Sequence, residues 1–272
     1  MGHSKYRQDG HAPRKRFGQN FLHDPHIIHR IVQSISPQQG ETVVEIGPGL
    51  GAITEPLLKL CGAMQIVELD RDLVPKLAER LGPLGEVAIH QADALKFDFA
   101  SIRQGDQPLR VVGNLPYNIS TPLIFHLLSY AGLIKDMHFM LQKEVVDRLA
   151  ASPGTSDYGR LSVMVQYRCA VTKLIDVGPG AFNPPPKVDS AVVRIAPYLE
   201  LPFPVDSESD LAELVSSAFG QRRKTLRNNL KHLMDDADYA ALGIDPSIRA
   251  ERLTVEQLTQ LANQLSDKRR AQ

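Results

Sequence analysis

The tetrapeptide Asn114-Leu115-Pro116-Tyr117 brings together residue types that can act on the amino group of a purine base. The exocyclic nitrogen of adenine is a poor nucleophile because its lone pair is delocalised into the ring. Two acceptors, the side-chain oxygen of Asn114 and the backbone carbonyl of Pro116, would favour the tetrahedral nitrogen that attacks an electrophile. Pro116 fixes the turn, and the ring of Tyr117 offers a surface on which an extruded base can stack. The tetrapeptide predicts chemistry at an adenine N6.

A glycine-rich segment at residues 47–51 predicts that a ligand approaches bare backbone. It follows the apolar run 42–46 and precedes a helical pattern, which would place the ligand at the N-terminus of a helix. The glycine spacing also matches the looser pattern of a dinucleotide-binding loop. Glu68, which closes the next apolar run, suits the ribose hydroxyls of either kind of cofactor. The loop alone leaves both cofactors open.

Three further features separate the two cofactors. Glu45, two residues before Gly47, and Pro48, between the glycines, are typical of methyltransferase loops. Asp93, after the third apolar run, can accept a hydrogen bond from the amino group of the cofactor's adenine. The loop carries no Lys or Arg, so a zwitterionic ligand fits better than a pyrophosphate. The sequence therefore predicts S-adenosylmethionine, with an NAD-linked oxidoreductase as the alternative enzyme.

The elements that must position these residues follow a regular alternation of apolar runs and helical periodicity. Parallel strands need crossover connections, so the alternation predicts an α/β fold with a Rossmann-like, mostly parallel seven-stranded sheet. The last two runs are expected to form an antiparallel hairpin at its edge. The seven runs are residues 42–46, 64–69, 87–90, 109–113, 137–141, 173–177 and 191–195.

The helical patterns after residue 210 predict a small all-α C-terminal domain. A Pro-rich, acidic stretch at 197–210 has the composition of a linker. We therefore expect a flexible basic leader at 1–16, a methyltransferase domain at 17–200 and a small helical domain at 201–272.

Charge is balanced over the whole chain but not along it. The 31 Lys and Arg equal the 31 Asp and Glu. Residues 1–30 nevertheless hold six basic residues against two acids, and residues 216–231 hold five basic residues and no acid. Such segments suit a phosphate backbone, or they form a solvated helix face.

Composition also bounds the compartment. The two cysteines, Cys61 and Cys169, lie apart in apolar settings, so neither a disulfide framework nor a metal site is predicted. No stretch approaches the length of a membrane span, and the N-terminus lacks the apolar core of a signal peptide. A cytoplasmic protein with no membrane partner is expected.

Taken together, the motifs resemble those of the small-subunit ribosomal RNA adenine dimethyltransferases from Phe17 to about Leu265. Besides the glycine loop, Asp93 and the tetrapeptide, the likeness rests on four segments. These are Phe17-Gly18-Gln19-Asn20-Phe21-Leu22, Val67-Glu68-Leu69-Asp70, residues 182–190 (FNPPPKVDS) and residues 219–224 (FGQRRK).

The resemblance implies roles for individual residues. Phe182 would close the face of the target base opposite Tyr117. From the sequence alone, a structural role as a packing anchor in a Pro-rich loop is equally expected. The cofactor site would be lined by Asn20, Leu22, Gly47, Glu68, Asp93 and Asn114. The phosphates beside the target would be held by Arg222, Arg223, Lys224 and Arg227.

The resemblance also implies a substrate: two adjacent adenosines in the 3′-terminal hairpin loop of small-subunit rRNA, each methylated twice. Unpaired loop bases enter a pocket at little unstacking cost. The expected partner is an immature small ribosomal subunit, and a monomer would suffice. Two alternatives remain: the large-subunit rRNA dimethylase of the macrolide-resistance type, and a ribosome assembly factor that mainly binds.

Overall fold

The computed structural model describes residues 20–271. The basic leader predicted at 1–16, and Phe17 to Gln19 of the first family segment, lie outside the described residues. Contacts divide the chain into two units, one formed by residues up to Val146 with Thr172–Pro197 and one formed by Asp147–Val171 with residues from Tyr198 onward.

The first unit is built on a seven-stranded sheet with the strand order β4-β3-β2-β5-β6-β9-β7. Neighbours from β4 to β6 pair in parallel, and β9 runs antiparallel to β6. The strands are β2 (Thr42–Ile46), β3 (Ala63–Glu68), β4 (Glu86–Gln91), β5 (Leu109–Asn114), β6 (Ile134–Gln142), β7 (Cys169–Val177) and β9 (Ser190–Pro197). The first three residues of β7 belong to the second unit. The predicted fold class, with its antiparallel edge, is confirmed.

Helices follow the parallel strands as crossover connections require. The strands β2 and β5 are buried along most of their length, as expected of a sheet covered on both faces. The first unit contains α1 (Pro25–Ile35), α2 (Thr54–Cys61), α3 (Val74–Leu81) and α4 (Ser120–Leu128), and α5 (Lys143–Leu149) crosses from the first unit into the second.

The first helix begins at a side-chain cap. Asp24 is the N-cap, and its Oδ1 accepts hydrogen bonds from the backbone N–H groups of His26 (2.9 Å) and Ile27 (3.2 Å). Pro25 occupies the first turn, where its missing N–H would have no partner in any case. Ile31, Val32 and Ile35 then bury the apolar face of the helix.

A separate two-stranded sheet lies within the first unit. Its strands are β1 (Phe21–Leu22) and β8 (Phe182–Asn183), which pair antiparallel with Leu22 opposite Phe182. Two segments about 160 positions apart in the chain are thereby fixed side by side. Sequence periodicity gives no signal for strands this short.

The second unit is helical. It contains α6 (Arg160–Gln166), α7 (Glu208–Ala218), α8 (Leu226–Leu230), α9 (Asp236–Leu242) and α10 (Val255–Arg270). Its core includes Leu211 and Leu261, which are fully buried. The longest helix starts at a capping box in which the N-cap Thr254 and Gln257 bond each other's backbone N–H.

The unit boundary differs from the expected division at residue 200. The second unit also takes in residues 147–171, which the sequence-based division left within 17–200. Tyr158, Val163 and Tyr167 bury their side chains in the core of the helical unit. Burial of these apolar groups, and not their order in the chain, decides which unit they join.

Candidate functional site

The carboxyl ends of the parallel strands open onto a cavity of about 330 Å³ in the first unit. In open α/β sheets ligands bind at this edge, at the point where the strand order reverses. Here that point lies between β2 and β5. The lining residues are 20–22, 45–50, 52, 53, 67–69, 92–94, 114–119 and 182. They include every predicted catalytic and cofactor-binding residue, which the fold thus brings together.

The glycine loop leaves β2 through a tightly bound turn. The N–H of Gly47 donates to the carbonyl of Val67 at the end of β3 (2.9 Å), and Gly47 and Gly49 both have positive φ angles. A Cβ atom on Gly49 would come within 3.1 Å of the Phe21 ring. Glycine at this position therefore allows both the turn and the close approach of Phe21.

Two acids stand at the ends of the neighbouring strands. Glu68 is buried, and its Oε1 accepts a hydrogen bond from the Asp70 N–H (2.7 Å). Burial raises the pKa of Glu68 to about 7, although nearby backbone N–H groups oppose the rise. Asp93 is half-buried, and its Oδ1 accepts from the Leu95 N–H (3.0 Å). Each carboxylate is oriented by backbone and keeps further acceptor capacity toward the cavity.

A third acid, Glu45, lies deeper in the same cavity. Only 1% of it is exposed, and its Oε2 has no hydrogen-bond partner among the described residues. Burial raises the pKa of Glu45 to about 8; the Thr54 hydroxyl opposes this rise and the charge of Glu68 adds to it. A buried carboxyl with an unsatisfied oxygen is unusual in a native protein and indicates a site completed by a ligand.

Asn114 ends β5, and its side-chain amide is held in one orientation. Its Nδ2 donates to the backbone carbonyl of Asn20 at 3.2 Å. The amide oxygen is therefore the atom that remains for a ligand. Just before it, Gly113 lies so close to β2 that a Cβ atom would be 2.6 Å from the Ile46 carbonyl oxygen.

The turn that follows is fixed by its own backbone. The carbonyl of Pro116, which was predicted to accept from the target amino group, accepts a hydrogen bond from the Ile119 N–H at 3.1 Å, and this bond occupies one of its two lone pairs. The hydroxyl of Tyr117 lies 3.0 Å from the Ser190 Oγ, at the start of β9. This bond holds the ring of Tyr117 beside the cavity.

Phe182 lines the cavity as part of the two-stranded sheet. It is 3% exposed and packs in the hydrophobic core of the first unit. Phe182 can therefore serve both roles considered from the sequence: it packs in the core as an anchor, and it lines the cavity where it could cover a face of the target base.

The predicted RNA-binding residues lie in the second unit, three of them in the turn after α7. Arg222, Arg223, Lys224 and Arg227 are all exposed. Arg222 donates to the Ser156 carbonyl, and Arg227 pairs with Asp236 at 3.1 Å. Arg223 and Lys224 are therefore the two whose charge is least engaged.

Sequence reasoning gave no role to Gly113 or Ser190. The sequence places Gly113 directly before Asn114 at the end of β5, which could have drawn attention to it. The close approach of β2 that requires glycine there appears only in the structure. Ser190 belongs to the family segment at 182–190, yet its bond to Tyr117 joins residues 73 positions apart.

Residues 20–271 contain neither a metal-binding cluster nor a membrane-spanning helix. No group of three or more His, Cys, Asp or Glu side chains there could hold a metal ion. No helix in this part of the chain is long and apolar enough to cross a membrane.

Comparison with known proteins agrees with this site. The model of the family described as ribosomal RNA adenine dimethylase matches residues 10–267. The ribosomal RNA small subunit methyltransferase A of Laribacter hongkongensis is 58% identical over 260 residues, which is 96% of this chain and 98% of that protein.

Solved structures show the same likeness at lower identity. A dimethyladenosine transferase from Plasmodium falciparum has a TM-score of 0.78 at 27% identity, covering 91% of this chain and 98% of that one. The 23S rRNA methyltransferase ErmE has a TM-score of 0.72 at 25% identity, covering 91% and 100%. The chain belongs to the ribosomal RNA adenine dimethylase family, which confirms the resemblance carried by its motifs.

Proposed function

We propose that the protein transfers methyl groups from S-adenosylmethionine to N6 of two adjacent adenosines in the 3′-terminal hairpin loop of small-subunit rRNA, two to each. The observation that carries the proposal is the fixed amide of Asn114, whose oxygen remains available beside an acid-lined cavity. The high identity to small-subunit methyltransferases supports the choice of rRNA.

The cavity fits S-adenosylmethionine by the chemistry of its donors. Glu45, Glu68 and Asp93 line it, and its described lining contains no Lys, Arg or His. A diphosphate would meet carboxylates there with no cation to balance it, whereas a ligand bearing positive charge is favoured. This donor set also argues against the NAD-linked alternative.

Each acid has a part in holding the cofactor. Glu68 would accept from the ribose hydroxyls and Asp93 from the adenine amino group, while Gly47 and its neighbours let the ligand approach the backbone. When bound, S-adenosylmethionine supplies a methyl group on a positively charged sulfur.

Asn114 and a main-chain carbonyl of the tetrapeptide then act on the target base. The Asn114 Oδ1 accepts one N6 hydrogen, and the carbonyl of Leu115 or Pro116 accepts the other. The Pro116 oxygen already accepts the Ile119 N–H, which favours Leu115 for this contact. Both acceptors strengthen as positive charge develops on the nitrogen, so they stabilise the transition state more than the ground state.

Tyr117 positions the base. Its ring, held by the bond to Ser190, stacks on one face, and Phe182 closes the other face. The proton leaves N6 only after the new bond has made it acidic, so no general base with a shifted pKa is needed.

The helical unit would hold the RNA. Arg222, Arg223, Lys224 and Arg227 would contact phosphates beside the target. Arg223 and Lys224 would make the larger contribution, because neither pairs with an acid in the described part of the chain. The partner is an immature small ribosomal subunit in the cytoplasm, and one copy of the chain carries every residue that the reaction needs.

Labelled-methyl transfer to under-methylated small subunits tests the proposal. N6,N6-dimethyladenosine in the small-subunit rRNA is the expected product, and Asn114→Ala should lower its rate about 10²–10³-fold. Gln33→Ala, which removes an exposed amide on α1 outside the cavity lining, is the matched control and should retain most activity. Methylation of large-subunit rRNA instead would assign the macrolide-resistance type. Binding without transfer by the native chain would indicate an assembly factor.

A further inference from the structure

Two of the acids that line the cavity are themselves almost fully buried. Glu45 and Glu68 are 1% and 6% exposed, and they occupy neighbouring strands, β2 and β3. Both contribute to the lining. Burial disfavours the charged form of both carboxyl groups, and the charge of Glu68 also repels that of Glu45, so the pair retains a proton near neutral pH.

Within residues 20–271, the groups around Glu45 provide no positive charge. In the sheet it lies between Ile66 on β3 and Val112 on β5. From α2 it faces the Thr54 hydroxyl, which like the Glu45 Oε2 has no hydrogen-bond partner among the described residues. The acids nearby are Glu68, with Asp70 two residues beyond it.

Basic groups near the loop are engaged elsewhere. Arg80 donates to the Leu50 carbonyl (2.9 Å) and pairs with Glu55. It does not appear in the cavity lining. Because no Lys, Arg or His of residues 20–271 lines the cavity, a bound ligand is the source of positive charge that can relieve the repulsion between the two buried acids.

The two forms of the cofactor differ in this respect. S-adenosylmethionine has a sulfonium, an ammonium and a carboxylate, for a net charge of +1. S-adenosylhomocysteine, the product, has a neutral thioether and is a net-neutral zwitterion. A cavity lined by acids distinguishes the two through the sulfonium charge, because attraction between opposite charges is strong where the dielectric constant is low.

We propose that Glu45 and Glu68 together hold a proton in the free protein and release it when the positively charged cofactor binds, so that the pair selects the methyl donor over its product. The carboxylic O–H bond breaks, the proton passes to solvent, and the carboxylate that remains faces the ligand's charge. The inference rests on the proposed function, because it takes S-adenosylmethionine as the ligand.

The pKa values make the effect measurable. Burial raises the pKa of Glu45 to about 8 and that of Glu68 to about 7, so at about pH 6.5 the pair holds at least one proton in the free protein. Each proton released on binding makes the Kd fall by up to about tenfold for each unit of pH increase in this range. The Kd of the thioether should change less.

Titration calorimetry on the full chain measures this directly. Both ligands are titrated at about pH 6.5, where their α-ammonium groups stay protonated, in two buffers with different enthalpies of ionisation. The dependence of the observed enthalpy on the buffer gives the number of protons released. We expect about half to one proton more for S-adenosylmethionine than for S-adenosylhomocysteine.

Two variants assign the proton. Glu45→Gln keeps the size of the side chain and mimics the protonated form; it should remove most of the difference in proton release and flatten the pH dependence of the Kd for S-adenosylmethionine. Glu86→Gln changes an exposed acid on β4 and should leave both unchanged. Thermal unfolding checks that each variant is folded. If Glu45→Gln does not fold, the difference in proton release between the two ligands in the native protein still tests the inference.

Equal proton release by the two ligands in the native protein would overturn the inference. So would a folded Glu45→Gln protein that still shows the full difference. Either result leaves the proposed function intact, because binding itself is still observed. Failure of the native protein to bind either ligand would instead refute the proposed function.

Discussion

Replacing Gly113 by alanine should separate the two halves of the site. The new Cβ atom would lie 2.6 Å from the Ile46 carbonyl oxygen and 3.1 Å from the Leu115 Cδ2. Since real Cβ atoms essentially never come closer than 3.0 Å to a neighbour, the strands must move apart by at least 0.4 Å (3.0 minus 2.6). The obstacle is buried backbone in a sheet, so no side-chain rotation relieves it.

Two effects of different size follow. Overpacking a core typically costs about 1–3 kcal/mol, which most domains tolerate without unfolding. Catalytic geometry is less tolerant, because functional groups must be held within about 0.5 Å and a displacement near 1 Å can cost about 10²-fold in rate. Gly113 contacts Ile46, which precedes the glycine loop, and is followed in the chain by Asn114. A shift at Gly113 therefore displaces Asn114 relative to the cofactor loop, and we expect a 10- to 100-fold lower kcat in a protein that remains folded.

The assay combines urea unfolding with methyl transfer to under-methylated small subunits. Gly132→Ala is the matched control, because a Cβ atom there would meet nothing within 4 Å. If Gly113→Ala unfolds at the same urea concentration as the control and methylates at the same rate, the close approach of β2 and β5 does not set the position of Asn114.

Three further predictions concern the base platform, the RNA-binding surface and a buried histidine. Tyr117→Phe loses only the hydroxyl bond and should keep most activity, whereas Tyr117→Ala also loses stacking worth about 1–3 kcal/mol and should lower kcat/KM about 10- to 100-fold; equal losses would exclude stacking. Arg223→Ala and Lys224→Ala should each weaken binding of small-subunit rRNA and lower the slope of log affinity against log salt by about 0.7–0.9, whereas Arg270→Ala, whose charge is already paired, should not. Burial lowers the pKa of His138 to about 4, so its contribution to stability is present above about pH 6.5 and is lost as the pH falls toward 4, by about 1.4 kcal/mol per unit; urea unfolding at both ends of this range should show that His138→Phe removes this loss, and an unchanged difference would refute the assignment.

Local signals in the sequence predicted the strands and the residues at their ends. The run 42–46 coincides with β2, and the other parallel strands differ from their predicted runs by at most three residues at either end. Because the carboxyl ends of parallel strands share one edge, placing Gly47, Glu68, Asp93 and Asn114 after those strands was enough to predict that they meet.

Long-range features could not be predicted in the same way. The pairing of Leu22 with Phe182 and the bond from Tyr117 to Ser190 join residues that are far apart in the chain. The burial of Glu45, which determines its protonation, depends on the strands either side of it. The ion pair between Arg227 and Asp236 likewise lowers the charge that the basic segment presents to a ligand, and residue spacing alone does not predict this pairing.

The most direct test of the account is a crystal structure of the protein with S-adenosylhomocysteine and adenosine, in which the distances from the base to the tetrapeptide are measured. N6 should lie about 3 Å from the Asn114 Oδ1 and from the carbonyl oxygen of Leu115 or Pro116, with the base stacked on Tyr117. A base bound in the cavity with N6 turned away from Asn114, or a cofactor bound outside the carboxylate-lined cavity, would contradict it.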